Sequence, residues 1–366
     1  VGGVCCGTQE KAQLDVGCAI LRYPDTHDDR HKKRITRVAS ISRPGIFQPC
    51  FHHDCAENQL KSLVGRVAGP VPKCTPQGIL DLKIGQRIIS KSLPPTSPDD
   101  LFDMPNRYSG QKRHRYMQAA LEYETSGISK KDATAKMFIK AERFDPEAKL
   151  NPDPRAIQFR GAKFCVAISQ YLRPIEEHIY HLNCASNKVP QSRNIAKGLN
   201  SVARAELLIE KLTHFNEPVI VGVDASRFDK HVDVPHLRME HSIYLASNND
   251  ATFRKLLSWQ LHNKCFSGIG LFYKLQGRRL SGDMNTAVGN CLIMLAMLIS
   301  YFEPLDIRWD CLDDGDDALI IIEKSSVAEL QANFSTKFLT FGMEMKVEEP
   351  VEDLHQIVFC QSNIIE

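Results

Sequence analysis

A chain of 366 residues with 43% hydrophobic and 25% charged content is long enough for a sizeable core in two or three packed units of ordinary globular composition. Its twelve cysteines follow no repeated spacing and the N-terminal residues do not read as a signal peptide, which excludes a disulfide scaffold and favours a reducing, cytosolic setting. The longest apolar run, residues 291–302, is too short to cross a bilayer. The net charge of +2 conceals an asymmetry: residues 1–215 carry 33 Lys+Arg against 22 Asp+Glu, and residues 216–366 carry 13 against 22. A front of net +11 and a rear of net −9 suit a phosphate-rich partner held by the first and a cation held by the second. Solvated charged faces give a milder version of the same split.

Residues 1–50 read as an irregular arm or fingertip loop with basic clusters such as His31-Lys32-Lys33-Arg34. CFHHDC at 50–55 invites zinc, but a structural site wants four ligands and no second pair follows. Asp54 and the following AENQLKSLVGRVAG predict an N-capped amphipathic helix ending at Gly69, with Leu60, Leu63, Val64 and Val67 on one packing face. The proline-rich stretch 70–98, with an apolar patch at 79–89, is expected to wrap over the surface as a connection. Residues 113–143 are expected to be helical and basic, breaking at Pro146, Pro152 and Pro154 before the strand-like DPRAIQFRGAKF. Alternating Arg usually marks a solvated edge. Lys140, Arg143, Arg155 and Arg160 would instead build a cationic wall that neutralises a triphosphate and steers nucleic acid. Helices follow at about 161–182, despite Pro174, and at 201–215, with packing stripes at Ile168, Tyr171 and Leu172 and at Leu207, Leu208 and Leu212.

Residues 218–224, PVIVGVD, form the nearly unbroken apolar run of a central strand covered on both faces, with Asp224 at its end. Helices are expected near 234–246 and 251–262, then a β segment through 271–273. In the run 277–302, Ser281-Gly282-Asp283 makes a turn that brings backbone close to a ligand. Asp283 is placed to cap the next helix, on which Thr286 and Asn290 share a face; such a polar stripe also serves as buried hydrogen bonding. Residues 311–322, CLDDGDDALIII, are a hairpin with acids at its tip. A solvated turn needs one aspartate, and two carboxylates about 4 Å apart repel by roughly 4 kcal/mol at an effective dielectric near 20. Four aspartates therefore suggest a cation. With Asp224 on a second strand tip, the hard oxygen set suits magnesium, and paired magnesium sites serve polymerases and nucleases. A helix at about 327–341 and β runs at 343–347 and 358–360 close the chain.

DASRFDKHV, SGDMNTAVGN, GDD and FCQS, in that order, resemble the successive motifs of positive-strand viral RNA-dependent RNA polymerases. PRAIQFR, MKVEEPV and FCQSN are similar to the tombusvirus branch, and the resemblance spans roughly residues 40–366. It implies an α+β right-hand fold. Residues 1–217 would be an N-terminal arm and fingers. Residues 218–366 would be a palm with a central antiparallel sheet, a fingers insertion at about 240–276 and a terminal primer-grip-like hairpin. The implied activity is RNA-templated RNA synthesis from ribonucleoside triphosphates with release of pyrophosphate, for viral genome replication and transcription.

The resemblance also implies roles. Asp224, Asp316 and Asp317 would hold two magnesium ions, for which manganese can substitute, while Asp313 and Asp314 fall outside the three-residue motif and are left structural or accessory. Asp229 and Asn290 would read the ribose, supported by Ser281, Gly282 and Thr286. An Asp/Asn pair can sense a 2′-hydroxyl, whereas reverse transcriptases place an aromatic near Asp229's position. Lys140, Arg143, Arg155 and Arg160 would grip the triphosphate, Lys346 would donate a proton to pyrophosphate, and Phe359, Cys360 and Gln361 would border the primer terminus. Related polymerases continue into a thumb but this chain stops at Glu366, so the thumb is expected to be missing: cut off, supplied by another chain, or absent. Expected partners are template and nascent RNA, ribonucleotides, and other viral replication proteins or a thumb-bearing chain. The expected setting is the host cytoplasm, with recruitment to membrane-associated replication complexes by other regions or partners. Three rivals remain: a reverse transcriptase, which prefers deoxynucleotides; a metal-dependent nuclease, which needs no triphosphates; and an RNA-binding protein with a vestigial site.

Overall fold

The computed structural model describes residues 13–23, 51–144 and 152–360, with the backbone of short strands at 3–4, 38–39, 46–47, 50 and 362–363. The strands of its two principal sheets are, in chain order, β1 (Ala19–Arg22), β2 (Ala135–Ile139), β3 (Ala156–Arg160), β4 (Pro218–Ala225), β5 (His262–Ser267), β6 (Phe272–Gln276), β7 (Trp309–Asp313), β8 (Asp317–Glu323) and β9 (Met345–Val347). The longer helices are α1 (Ala56–Ser62), α2 (Pro76–Ser92), α3 (Gly110–Ser126), α4 (Ala162–Tyr180), α5 (Ser201–Leu212), α6 (Val234–Ser247), α7 (Ala251–Ser258), α8 (Thr286–Phe302) and α9 (Val327–Thr340). The expected arm at 1–50 lies mostly outside the described residues.

The fold is α+β. In β4, Val219, Ile220, Val221, Gly222 and Val223 are all buried, as expected for β-branched residues on a pleat covered from both sides. β4 pairs antiparallel with β8 on one side and β9 on the other, and β7 completes the order β7-β8-β4-β9. α8 packs in the same core. Every residue from Val288 to Phe302 is buried, the pattern of a helix apolar all round, and each large aliphatic there stabilises by about 1.5–3 kcal/mol. No helix among the described residues is long and apolar enough to cross a membrane.

The second sheet runs β1-β6-β5-β2-β3, with β5 parallel to β2 and the other pairs antiparallel. It interleaves strands from 19–160 with the segment 262–276. Its inner face, including Met137, Ile139, Tyr273 and Leu275, packs with Leu63 and Val67.

Four expectations are corrected. Residues 70–98 are no surface connection, because they contain α2. Thr75 Oγ1 accepts from Gly78 N at 2.9 Å and Pro76 opens the helix. Its buried residues Leu82, Gly85 and Ile89 keep helical spacing, but a glycine at the contact point hid the stripe. Residues 113–143 are not one helix: α3 ends at Gly127, φ +65, and β2 follows with a period of two. Asp54 is no N-cap. Cys55 takes that position, while Asp54 Oδ1 accepts from Ile139 N and Gln59 Nε2, both at 2.8 Å. Finally, α7 stops at Ser258 and His262 opens β5. The long helix through Pro174 is present. Proline cannot bond the carbonyl four residues back, and here Gln170 O accepts from Asp99 N at 2.8 Å instead.

A side chain at Gly85 would run into the backbone carbonyl of Ala296 on α8, which cannot swing away. Gly85→Val is therefore expected to destabilise by about 1–3 kcal/mol or more, measured as the midpoint of denaturant unfolding. An unchanged midpoint would show that α2 and α8 are not in this contact.

Candidate active site

The β7–β8 turn is made at Gly315, φ +104, a left-handed conformation that glycine adopts without penalty. The ladder sets Asp317 opposite Asp224, and Lys346 opposite Asp224 from the other side. Ala225 N donates to Asp316 O at 2.9 Å, drawing the turn over the end of β4. Asp224 and Asp316 are both exposed and line one cavity of about 740 Å³. Desolvation, reinforced by Asp316, holds the Asp224 carboxyl above its ordinary range. Desolvation also raises Asp317, although Cys360 N donates to its Oδ2 at 2.9 Å.

The remaining turn acids are spent inside the protein. Asp313 is fully buried, its carboxyl pushed well up by desolvation, and its Oδ1 accepts from Gly315 N at 2.7 Å. Asp314 faces Lys197 at 2.6 Å and Arg204 at 3.0 Å and accepts from Cys360 Sγ at 2.8 Å.

Beside the acids, Asn290 Nδ2 donates to Asp229 Oδ1 at 3.0 Å. Asn290 Oδ1 accepts from Arg279 Nε at 2.9 Å, so the amide orientation is fixed from behind. Arg279 is ion-paired with Glu240, and both are buried. Glu240 also accepts from Tyr244 Oη at 2.8 Å and Asn285 Nδ2 at 2.7 Å. Burial raises the Asp229 carboxyl in spite of its Asn290 hydrogen bond. The Ser281 hydroxyl donates to Ala156 O at 3.2 Å, and Gly282 N donates to Gln158 O at 2.7 Å. A Cβ on Gly282 would lie 2.6 Å from that same oxygen. The Thr286 hydroxyl donates to Leu280 O at 2.7 Å, and Ser281, Thr286, Asp229 and Asn290 all line the cavity.

The basic wall differs from expectation. Lys140 and Arg155 line the cavity, each beside Glu142: Lys140 in an ion pair, Arg155 at 3.3 Å. Arg160 is buried and holds Asp283 through Nε at 2.6 Å and Nη2 at 3.1 Å, with further bonds to Ala133 O and Asn263 Oδ1. It is an internal clamp with no free donor face for a triphosphate, and Asp283 is its partner rather than a helix cap. Arg143 sits on a separate short strand outside the wall. Arg66, Lys197, Arg227 and Arg279 contribute instead. Arg227 adopts φ +51, unusual for a residue with a side chain, and donates to Gly65 O and Asp153 Oδ2, both at 2.7 Å.

A family profile described as "Viral RNA dependent RNA polymerase" matches residues 27–366. The chain belongs to this family. It is 35% identical over 326 residues to the "RNA-directed RNA polymerase" of Groundnut rosette virus (strain MC1), covering 87% of this chain and 38% of that protein. It is 32% identical over 374 residues to that of Oat chlorotic stunt virus (isolate United Kingdom), covering 94% and 49%, and 39% identical over 269 residues to that of Carnation mottle virus, covering 72% and 34%. The chain thus spans between about a third and a half of these relatives.

Against the family motifs, the remaining positions fall unevenly. Lys346 is exposed, 3.7 Å from Glu348, and is not in the cavity wall. The Phe359 ring is buried in a core cluster with Arg204 stacked at 5.8 Å, so it cannot present its face to a primer. Cys360, φ +51, ties its short hairpin to the acid turn, and Gln361 lies outside the described residues. The added wall residues were hard to read in sequence. Arg66 lies in a stretch that reads as packing and Lys197 in an unassigned loop, whereas Arg227 falls inside DASRFDKHV and Arg279 in the doublet before Leu280-Ser281.

The raised Asp224 carboxyl sets a sign. Its charged form costs folding stability above its folded pKa, and that cost disappears below the unfolded pKa. In chelator at neutral pH, Asp224→Asn should raise the unfolding midpoint, with the gain fading as pH falls through the carboxylate range. A lowered midpoint at neutral pH would contradict the desolvation described.

Proposed function

We propose that this chain is the fingers and palm portion of an RNA-templated RNA polymerase, with the four-stranded sheet as palm and the five-stranded sheet with its flanking helices as fingers. The observation that carries the reading is one cavity shared by two unpaired carboxylates, Asp224 and Asp316, the Asp229–Asn290 pair and a cationic wall.

Magnesium fits the donor set. Among the described residues neither Asp224 nor Asp316 is in a salt bridge or side-chain hydrogen bond, and hard oxygens suit a hard cation. No three His, Cys, Asp or Glu side chains among the described residues converge as a ready-made cage. Magnesium does not require one, since it binds through one or two carboxylates plus substrate phosphates. Two such ions, replaceable by manganese, would lower the pKa of the primer hydroxyl and offset charge on the leaving pyrophosphate. The chain's own residues do the positioning. Asp317, steadied by Cys360 N, backs the metal-holding pair. Asp229 would accept from the 2′-hydroxyl while Asn290, locked by Arg279, offers its amide. Lys140 and Arg155, joined by Arg66 and Arg227, would hold the triphosphate once it displaces Glu142. Of all the assigned roles, proton donation by Lys346 has the least geometric support. Template RNA, nascent RNA and ribonucleotides are the partners of this reading, along with other replication proteins. The host cytoplasm is its setting, with membrane recruitment left to partners or other regions.

The test is incorporation of labelled ribonucleotides on a primed RNA template with magnesium. Asp316→Ala should lower the rate roughly 100-fold or more, as losing a preorganised charge-stabilising group does. Equal rates, or RNA cleavage without triphosphates, would overturn the reading. Asp229→Ala should reduce preference for ribo- over deoxynucleotides by roughly tenfold or more, the worth of a charged hydrogen bond. Unchanged discrimination would remove Asp229 from ribose reading.

A further inference from the structure

Apart from Ile157, the outer face of the five-stranded sheet is not part of the cavity described above. Burial alternates along its strands: Ala135, Met137 and Ile139 of β2 face inward while Lys136 and Phe138 face out. His262, Lys264 and Phe266 of β5 and Phe272 and Lys274 of β6 also lie on the less buried side. Register aligns the outward residues into rows. Phe272 stands opposite Phe266, Phe266 opposite Lys136, and Lys136 opposite Phe159. Beside this row Lys264 stands opposite Lys274.

At about 4.8 Å between strands, the four-residue row spans roughly 15 Å. Phe266 and Phe272 are stacked with centroids 6.1 Å apart, and Phe272 is 41% exposed. None of the five strands contains an Asp or Glu. Among the described residues Lys136, Lys264 and Lys274 form no salt bridge. A solvated structural face normally mixes both signs of charge; this one pairs aromatics with a single sign.

The two ends of the face are informative. At one end Ile157, opposite Phe138, lines the acid-bearing cavity. At the other lies a second cavity of about 200 Å³ walled by Lys130, Lys131, Trp259, His262 and Lys264. Aromatic rings flanked by cations on an exposed sheet bind single-stranded nucleic acid by stacking bases and neutralising phosphates.

We infer that the outer face of β6-β5-β2-β3, together with the Trp259 cavity, is a binding track for single-stranded RNA outside the catalytic cavity. It rests on the RNA-template reading above and adds a site to it. The Phe272–Phe266–Phe159 row stacks bases, Lys136, Lys264 and Lys274 take phosphates, and the Trp259 cavity holds a nucleotide at the distal end.

The test is anisotropy of a labelled single-stranded oligoribonucleotide in chelator, across a salt series, with Lys264→Ala/Lys274→Ala, Phe272→Ala and, for the cavity, Lys140→Ala/Arg155→Ala. All the sheet positions are exposed, and an unchanged unfolding midpoint confirms folding. The lysine pair should reduce the slope of log affinity against log salt by about 1.4, the value for two phosphate contacts on a single strand. Phe272→Ala should weaken binding roughly fivefold or more. Incorporation on a template with a long unpaired strand should need more RNA in these variants, while a template with a two-nucleotide overhang should be used as by the wild type. If the sheet variants bind RNA as the wild type does while the cavity variant weakens, the track is wrong and the polymerase reading stands. If the sheet variants lose binding only to phosphatidylserine vesicles, the face contacts lipid and the proposal is overturned.

Discussion

Carboxylates gathered at the ends of two paired strands repel one another, and the rest of the fold answers that constraint. Asp224, Asp316 and Asp317 are set by the antiparallel ladder between β4 and β8, which continues down to Pro218 and Glu323. That ladder is anchored in strands whose interior residues are buried and against α8, buried from Val288 to Phe302. The acids cannot relax apart without breaking main-chain bonds in the driest part of the protein. Repulsion is limited locally as well. Burial pushes the Asp313 carboxyl well above its ordinary range, Asp314 is paired with two cations, and Asp317 receives a backbone N–H. Of the acids at these strand ends, Asp224 and Asp316 are the exposed ones.

Buried ion pairs locate the loops around this point. Arg160–Asp283 ties the 281–283 turn to β3, Arg279–Glu240 ties the preceding residues to α6, and Lys211–Asp310 at 2.8 Å ties α5 to β7. Pairs of this kind gain little net stability, because desolvation offsets most of the Coulombic attraction. Their directional hydrogen bonds do fix orientation: Arg160 uses a fork on Asp283, and Arg279 decides which way the Asn290 amide faces. Side chains that meet the ligand cavity are thus oriented through buried ion pairs.

What the sequence disclosed follows from the range of the interactions involved. The β4 run, the acid hairpin, α8 and the polar positions Thr286 and Asn290 are local patterns whose periodicity or turn chemistry is self-contained, and they were legible. α2 was not, because its packing stripe runs through Gly85 and is framed by prolines that suggested a coil. The split of 113–143 into helix and strand was obscured by lysines, which tolerate either. Among the basic residues, charge type was readable but partner was not. Arg155 and Arg160 look alike in PRAIQFR, yet the alternation of β3 sends Arg160 inward to an acid 123 residues away.

The partner question also reinterprets the charge asymmetry between the two parts of the chain. Much of it is neutralised within the protein. Arg160, Lys197, Arg204 and Lys211 from the basic part pair with Asp283, Asp314 and Asp310 from the acidic part, so these charges register one part against the other. These ion pairs therefore consume four cations of the basic part inside the protein and leave others at the surface. Arg66, Lys140 and Arg155 stay in the wall facing Asp224 and Asp316. Lys136, Lys264 and Lys274 stay on a sheet face without a single acid in its strands. A field arranged this way has its attractive surface leading to the negative centre rather than on it. Such a field would draw a polyanion along the basic side, and a centre of that sign would admit phosphate only together with a cation.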